Sequence, residues 1–406
     1  MHKDVARFVA DQSPHLIALC ANLVAAGSIN PPGDVTGPAG VLQDWFATHG
    51  LPVEVFTAVD GKPNLIVTVY GGRPGPHLVF NGHLDTISPG DLANWSVPPL
   101  ALTERDGRLY GLGIGNMKAG VAALAFATLW LAQHRDQWRG RLSFTAVADE
   151  TVFGPDGAQA LLAARPDLAG DALICAEGPG GMGLALAEKG VFWVRLVAEA
   201  APAQGMINQA GENAIARLAR LLLSVDALNA RQASPPDDLA GVLAGAGHHE
   251  LRLSANAGTV SGGRFVSQRA ETAFAEVDFR LPPGLSIGAV EAELDRLTSA
   301  VPGTSWSRIK GWDANWTAPD APVCLAVSRA CAQVRGTAPR PVVRLPASDA
   351  ARWRGLGVPA VCFGPQPLLV AGVDDYVERV DLLDCVAIYA LAALDFLQPD
   401  TEGTKP

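Results

Sequence analysis

The sequence predicts an α/β protein into which a smaller α+β domain is inserted. In the first 188 residues, short apolar segments of strand character alternate with longer helical segments, and polar residues directly follow several of the strands. From Glu188 the pattern changes to half-polar strands around two helices, in the β-α-β-β-α-β order of a ferredoxin-like sandwich. The first pattern resumes near residue 315. We therefore assign 1–188 and 305–406 to one discontinuous domain and 189–304 to the insertion.

Composition excludes several classes of partner. The 406 residues are 49% apolar and carry a net charge of −10, which argues against nucleic acid or an anionic membrane as the main partner. No uninterrupted apolar run reaches membrane-spanning length, and the N-terminus lacks the apolar core of a signal peptide. The six cysteines are scattered, without a CxxC pair, as in a cytoplasmic protein with reduced thiols.

In the first part of the chain, helices and strands alternate as an α/β domain requires. Residues 4–26 carry apolar side chains at helical spacing, and Pro31-Pro32 prevents that helix from continuing. Further helices are predicted over 41–49 and, in an Ala- and Leu-rich segment, over 121–133. Short apolar runs predict strands at 53–56, 64–70, 77–80, 141–148 and 172–175.

Candidate site residues follow three of these strands. His83 and Asp85 lie two residues apart, so both side chains can point to one face of an extended segment. A His that binds a metal commonly offers its other ring nitrogen to an orienting carboxylate or carbonyl. The alternative is a satisfied His at a strand end, and the local spacing does not decide between the two. Glu150 and Glu177 also follow strands, at the end where open α/β sheets bind ligands.

Helices and strands are also predicted in the insertion and in the last part of the chain. In the insertion we predict strands at 192–198, 256–260 and 271–280, with helices at 213–228 and 287–300. The Ala-, Gly- and Pro-rich segment 229–250 is predicted to be a loop. The last part is predicted to contain helices at 322–334 and 381–396, a turn at 348–350 and a strand at 360–363.

Motifs that occur in order along the chain carry a family resemblance. GHLDT, the Trp95 loop, RDGRLYGLGIGNMKAG, ADETVFG and CAEG resemble the dizinc metallopeptidase and aminoacylase family, which includes acetylornithine deacetylase, succinyl-diaminopimelate desuccinylase and carboxypeptidase G. The likeness covers nearly the whole chain. It implies a mixed-sheet zinc-peptidase-like catalytic domain at 1–188 and 305–406, with 189–304 as a ferredoxin-like α+β lid and dimerisation domain.

The resemblance implies that the first metal site is partly kept. Carried over by position, its ligands fall on His83, Asn116 and Glu177. Asn116 stands where the family has a bridging Asp, and an amide carbonyl is a poor ligand. The family's general base is present as Glu150, and the carboxylate partner of the metal-bound His is present as Asp85. We expect one Zn²⁺ or none.

The second metal site is predicted to be lost. Its positions fall on Asn116, Thr151 and, in the segment AGVDDYV, Ala371 or a neighbour; no His occurs after His249. Two dications about 3.5–4 Å apart repel by roughly 17–19 kcal/mol at an effective dielectric of 20. A bridging carboxylate offsets part of this repulsion, and neutral Asn116 does not.

Two positions of the insertion are candidate substrate contacts. Gln204, in PAQG, stands where the resemblance implies a His that stabilises an oxyanion, and it can donate only a neutral hydrogen bond. Arg280, in DFRLPPG, matches a family strand position. Binding of a substrate carboxylate and an ion pair within the strand are equal alternatives for this Arg.

The function that follows is an enzyme acting on an N-acyl amino acid or a small peptide-like amide. The alternatives are a non-hydrolytic biosynthetic enzyme in the same cleft, performing acyl transfer, cyclisation or proton transfer, and a non-catalytic binding subunit. GLGIGN lacks the third glycine of a dinucleotide-binding loop, so no nucleotide cofactor is expected. We expect a cytoplasmic homodimer, formed through the lid domain, that binds a small-molecule substrate and neither nucleic acid nor membrane.

Overall fold

The computed structural model describes residues 2–244, 249–367 and 372–398. The helices of this part of the chain are α1 (His2–Ala25), α2 (Thr36–Thr48), α3 (Ala119–Gln133), α4 (Ala158–Ala164), α5 (Ala214–Asp226), α6 (Ala240–Leu243), α7 (Ile287–Ala300), α8 (Pro322–Arg335), α9 (Ala350–Arg354) and α10 (Arg379–Phe396). The strands are β1 (Glu54–Thr57), β2 (Pro63–Tyr70), β3 (His77–His83), β4 (Thr103–Arg105), β5 (Arg108–Tyr110), β6 (Arg141–Val147), β7 (Ala172–Cys175), β8 (Leu184–Glu188), β9 (Gly190–Glu199), β10 (Ser254–Gly262), β11 (Thr272–Leu281), β12 (Thr304–Trp312), β13 (Asn315–Trp316), β14 (Pro341–Arg344), β15 (Ala360–Cys362) and β16 (Tyr376–Glu378).

The chain forms two compact units. The first comprises Met1–Leu186, Trp316–Val342 and Ser348–Pro406, and the second comprises Ala187–Asn315 and Val343–Ala347. The sequence boundary at 304/305 therefore falls too early, since β12 belongs to the second unit. The physical reason is that β12 pairs with β9 along most of its length, from Thr304 opposite Ala198 to Trp312 opposite Val191.

The sheet of the first unit has the strand order β1-β2-β6-β3-β7-β15, and β8, β13 and β14 complete its nine strands. β3 lies at the centre, parallel to both β6 and β7. All of its residues are buried, including the polar His77, Asn81 and His83, as expected of a central strand that is covered on both faces. The predicted α/β class with a mixed sheet is confirmed, because β2 runs antiparallel to β6.

Helix α3 forms the core of the first unit and packs against α1, α10 and β3. The segment Ile114–Gln133 is apolar and long enough to cross a membrane, but 94% of its most apolar window is buried inside the protein, as in a core helix. Gly82 allows β3 to approach this helix, since a Cβ there would lie 2.7 Å from the Val121 side chain. The six cysteines are buried and none forms a disulfide.

The second unit is a ferredoxin-like sandwich. Its antiparallel sheet has the strand order β10-β11-β9-β12, and the chain order is β9-α5-β10-β11-α7-β12 apart from the short α6. Alternate residues of β9, beginning at Phe192, are buried in one core with apolar residues of α5 and α7. Asn213 and Ser286 cap the two helices with side-chain oxygens that accept backbone N–H bonds. The predicted inserted α+β fold is confirmed.

His77, at the start of β3, makes the stability of the first unit depend on pH. Its Nδ1 accepts a hydrogen bond from Arg141 Nη2 at 2.8 Å, so the ring's proton sits on Nε2, 2.9 Å from Ser143 Oγ. Burial, together with the charge of Arg141, lowers the pKa of His77 from 6.5 to about 4. Because the unfolded chain takes up this proton below pH 6.5 and the folded chain does not, stability is lost as the pH falls from about 6.5 towards 4.

Replacing His77 with Gln is expected to remove this pH dependence. Between pH 7 and 5 the wild type should lose roughly 2 kcal/mol more than the variant, at about 1.4 kcal/mol per pKa unit. Thermal melts of both proteins at the two pH values measure the difference. Parallel changes in the two melting temperatures would contradict the assignment.

Candidate active site

Three parallel strands deliver the central side chains of the site. His83 is the last residue of β3 and lies opposite Val147, the last residue of β6. Glu150 follows β6, and Glu177 follows β7, which is the other neighbour of β3. Since the carboxyl ends of parallel strands meet at one edge of a sheet, the strand order alone brings these three residues together.

His83, Glu150 and Glu177 form a tight cluster. Each offers one ligand atom, and these atoms all lie within 4.8 Å of one another. His83 Nε2 is 3.6 Å from Glu150 Oε2, and all three residues are buried. Glu150 Oε1 is buried without a hydrogen-bond partner among the described residues. Such a set of one imidazole and two carboxylates can hold a single metal ion.

The ring orientation of His83 is fixed from behind by Asp85. Nδ1 lies 2.9 Å from the Asp85 backbone oxygen, which can only accept, so Nδ1 carries a proton. Nε2 then faces Glu150 and, at 3.3 Å, Asn116 Oδ1. Burial by itself lowers the pKa of His83, but the charges of Glu150, Asp85 and Glu177 outweigh it and hold that pKa well above 6.5. The space beside Nε2, which faces the carboxylates, therefore favours a cation.

Glu150 is the most perturbed carboxylate of the cluster. Burial raises its pKa well above the usual value, and the nearby charge of Glu177 raises it further. His83 acts in the opposite direction and does not cancel these effects. A buried carboxylate with a raised pKa, beside a His and a second acid, is the arrangement expected of an acid–base group.

Asp85 is held by four hydrogen bonds to its carboxylate. The donors are Asn30 Nδ2 at 2.9 Å, the Glu150 and Thr151 backbone N–H groups at 3.1 and 3.0 Å, and Thr151 Oγ1 at 2.6 Å. Burial raises the pKa of Asp85, but His83, whose Nδ1 lies 3.6 Å from Oδ1, and the hydrogen bonds from Asn30 and Thr151 more than compensate and lower it. Asp85 is therefore a fixed anion whose acceptor positions are already occupied.

Asp349 is a further acidic residue of the site, and its sequence context predicts only a turn. It precedes α9, is buried, and has no hydrogen-bond partner for Oδ2 within 2–244, 249–367 and 372–398. Burial raises its pKa to about 7; His83 opposes that rise and Glu177 adds to it, which places Asp349 near the cluster. Its only sequence signal was a polar pair, Ser348-Asp349, in the half of the chain where the α/β pattern resumes.

The other predicted site residues are placed as follows. Asn116 lies beside His83 in the irregular turn Ile114–Lys118, and Thr151 lies beside Asp85. Ala371 falls outside the described residues. Arg280 and Gln204 belong to the second unit. Arg280 forms an ion pair at 2.8 Å with Asp278, which also accepts a hydrogen bond from Trp193 Nε1. Gln204 is exposed, and its backbone forms an isolated antiparallel β-bridge with Gln268.

Comparison with known proteins agrees with this architecture. One curated relative is a probable succinyl-diaminopimelate desuccinylase from Staphylococcus aureus, 32% identical over 175 residues, which are 43% of this chain and 42% of the relative. The chain thus matches less than half of that relative's length.

Solved structures with little sequence identity share the fold. An M20 family metallo-carboxypeptidase from Sulfolobus solfataricus superposes with a TM-score of 0.77 at 15% identity, over 94% of this chain and 99% of the other. The Bacillus subtilis YXEP protein, a dinuclear metal binding peptidase, superposes with a TM-score of 0.66 at 15% identity, over 96% and 99%. The family model of peptidase family M20/M25/M40 matches residues 79–395, most of the chain. The chain therefore belongs to peptidase family M20/M25/M40.

Proposed function

We propose that this protein is an amide-bond hydrolase that acts on N-acyl amino acids or small peptide-like amides with a single divalent metal ion. The observation that carries the proposal is the buried cluster of His83, Glu150 and Glu177 at the carboxyl edge of the sheet. Membership of the family and the desuccinylase name of the Staphylococcus aureus relative support the reaction class.

The chemistry of the cluster fits one zinc ion. Glu150, Glu177, Asp85 and Asp349 surround one imidazole, and Glu150 Oε1 has no partner in the described ranges. Buried carboxylates repel one another, and a dication at His83 and Glu177 offsets that repulsion. Nitrogen and oxygen donors suit zinc. When bound, the ion supplies a Lewis acid that makes water more acidic and polarises the amide carbonyl.

A second ion is not expected, because its donors are absent or otherwise engaged. Asn116 and Thr151 are both neutral, so neither replaces a carboxylate ligand, and the Thr151 hydroxyl is oriented towards Asp85, to which it donates at 2.6 Å. This arrangement differs from that of the Bacillus subtilis relative, whose name describes a dinuclear metal binding peptidase.

The side chains then take separate roles. Glu150 is the general base that accepts a proton from the attacking water and passes it to the leaving nitrogen. His83 would hold the ion through Nε2, because Asp85 keeps the proton on Nδ1. On the family resemblance alone, Arg280 and Gln204 remain proposed substrate contacts. The protein works as a cytoplasmic homodimer, joined through the second unit.

A substrate panel tests the proposal. The purified protein with added Zn²⁺ is assayed for release of free amine from N-succinyl and N-acetyl amino acids and from dipeptides, with Glu150→Gln as the blank. Hydrolysis of at least one class by the wild type alone is expected. A panel on which wild type and blank are equally inactive would contradict the proposal.

The neutral Asn116, and the Thr151 hydroxyl that is bonded to Asp85, favour one other candidate function. A reaction that needs no strongly acidic water, such as acyl transfer to an amine, can use the same cleft with Glu150 as the base. In that case the panel yields a new amide when a second amine is present and little free acid. A third outcome, binding of these amides without turnover, supports a non-catalytic subunit.

A further inference from the structure

We propose that Thr151 is a positioning residue that, together with Asn30, locks Asp85 and thereby fixes the imidazole of His83. This inference rests on the proposed function for its catalytic meaning, but its first test below does not. Thr151 stands where the family has a metal ligand, and the inference gives it a different role in the same site.

The argument begins with the number of donors at Asp85. Its side chain is fully buried, and Thr151 alone provides two of its four hydrogen bonds, one from the backbone N–H and one from the hydroxyl. The hydroxyl bond, at 2.6 Å to Oδ2, is the shortest of the four. Hydrogen bonds to a charged acceptor are the stronger ones, so the Thr151 hydroxyl contributes a large share of the restraint.

Asn30 connects this restraint to a second charged pair. One Nδ2 hydrogen is donated to Asp85 and the other, at 3.3 Å, to Asp149 Oδ1. Lys62 Nζ lies 2.8 Å from both Asp149 and Asp156. The chain of contacts therefore runs from Lys62 through Asp149 and Asn30 to Asp85. Lys62 offsets the charges of the two acids that would otherwise repel Asp85.

The restraint reaches His83 through the backbone of Asp85. With the carboxylate fixed at one end, the Asp85 carbonyl oxygen stays 2.9 Å from His83 Nδ1. The ring then presents Nε2 to Glu150 and Asn116. Loss of the Thr151 hydroxyl leaves one acceptor site of the buried Asp85 carboxylate without a hydrogen bond. Because an unsatisfied buried acceptor costs free energy, the carboxylate is expected to rotate towards another donor.

The first test uses metal-free protein labelled with ¹⁵N-histidine. The hydrogen-bonded Nδ1–H of His83 is expected to give a slowly exchanging ¹H–¹⁵N signal, assigned by its loss in His83→Gln. Thr151→Val keeps the shape and the backbone N–H but removes the hydroxyl, so the signal should broaden or disappear. Thr151→Ser restores the hydroxyl and should restore the signal. Equal melting temperatures establish that each variant is folded.

The second test measures Zn²⁺ affinity by competition with a chromophoric chelator and the absorption spectrum of Co²⁺ in place of zinc. Thr151→Val should bind Zn²⁺ about tenfold more weakly, as expected when a partner of a metal-bound His is lost. Thr151→Ser should match the wild type in both measurements. Lys62→Met should weaken binding in the same direction, and Lys62→Arg should restore it.

The outcomes separate the two claims. If the wild type binds no Zn²⁺, the proposed function fails while the nuclear magnetic resonance result still decides the inference. A folded Thr151→Val that keeps the Nδ1–H signal of the wild type overturns the inference, and so does a Thr151→Ser that behaves like Thr151→Val. If Thr151→Val and Lys62→Met do not fold, Asn30→Ser takes their place with the same two expected losses.

Discussion

Glu150→Gln is expected to abolish hydrolysis and at the same time to stabilise the metal-free protein. General bases contribute roughly a hundredfold to ten-thousandfold to a rate, so kcat should fall by at least that much, with a smaller change in KM. Gln has nearly the shape of Glu and cannot accept the proton. Zinc affinity of the variant is measured in parallel, and a lost rate with retained zinc reports the missing base rather than a lost ligand of the ion.

The stabilising effect follows from the raised pKa of Glu150. Burial and the charge of Glu177 raise this pKa, so the folded state holds the proton more tightly than the unfolded chain. Stability from this group is present at low pH and is lost as the pH rises through the folded pKa. A neutral Gln avoids the loss, and the variant should melt at a higher temperature than the wild type at pH 8.

A matched control separates this effect from a general charge effect. Glu104 is half-exposed in the first unit and pairs with Arg379, so Glu104→Gln should leave both kcat and the melting temperature close to wild type. Full activity of Glu150→Gln on the substrate of the wild type would contradict the assigned base and favour the binding-subunit alternative.

The second large effect is expected for His83→Gln. Substituting an outer partner of a metal ligand typically costs 10–100-fold in affinity, and removing the imidazole that is itself a ligand should cost more. The variant should bind no measurable Zn²⁺ at micromolar concentration and should lose activity with it. Asp349→Asn, which changes a nearby acid outside the triad, should retain the ion. Equal zinc affinities of wild type and His83→Gln would place the metal elsewhere.

The central part of the site was predictable because it depends on strand ends. β3, β6 and β7 are short and almost entirely buried, and each contains apolar residues typical of a strand, so each is visible in the sequence. The polar residues that follow such runs must meet at one edge once the strands pair in parallel. His83, Glu150 and Glu177 could therefore be grouped before any coordinates existed. The same logic yielded the α/β fold and the ferredoxin-like insertion.

Residues placed by tertiary contacts were not predictable. Asp349 follows a loop after β14, a four-residue strand with a Pro and an Arg that gives no periodic signal. β12 has no buried residue and includes Arg308 and Lys310, so it gives no apolar strand signal, which is why the domain boundary was placed too early. The bond from Thr151 to Asp85 joins residues 66 positions apart, and no pattern in the sequence predicts it.

The count of tightly bound metal ions tests the account most directly. Protein purified without chelator, loaded with Zn²⁺ and dialysed, is measured by elemental analysis together with His83→Gln. The cluster of His83, Glu150 and Glu177 predicts one zinc per chain in the wild type and none in the variant. Two tightly retained zinc ions per wild-type chain, or none, would contradict the single-metal site.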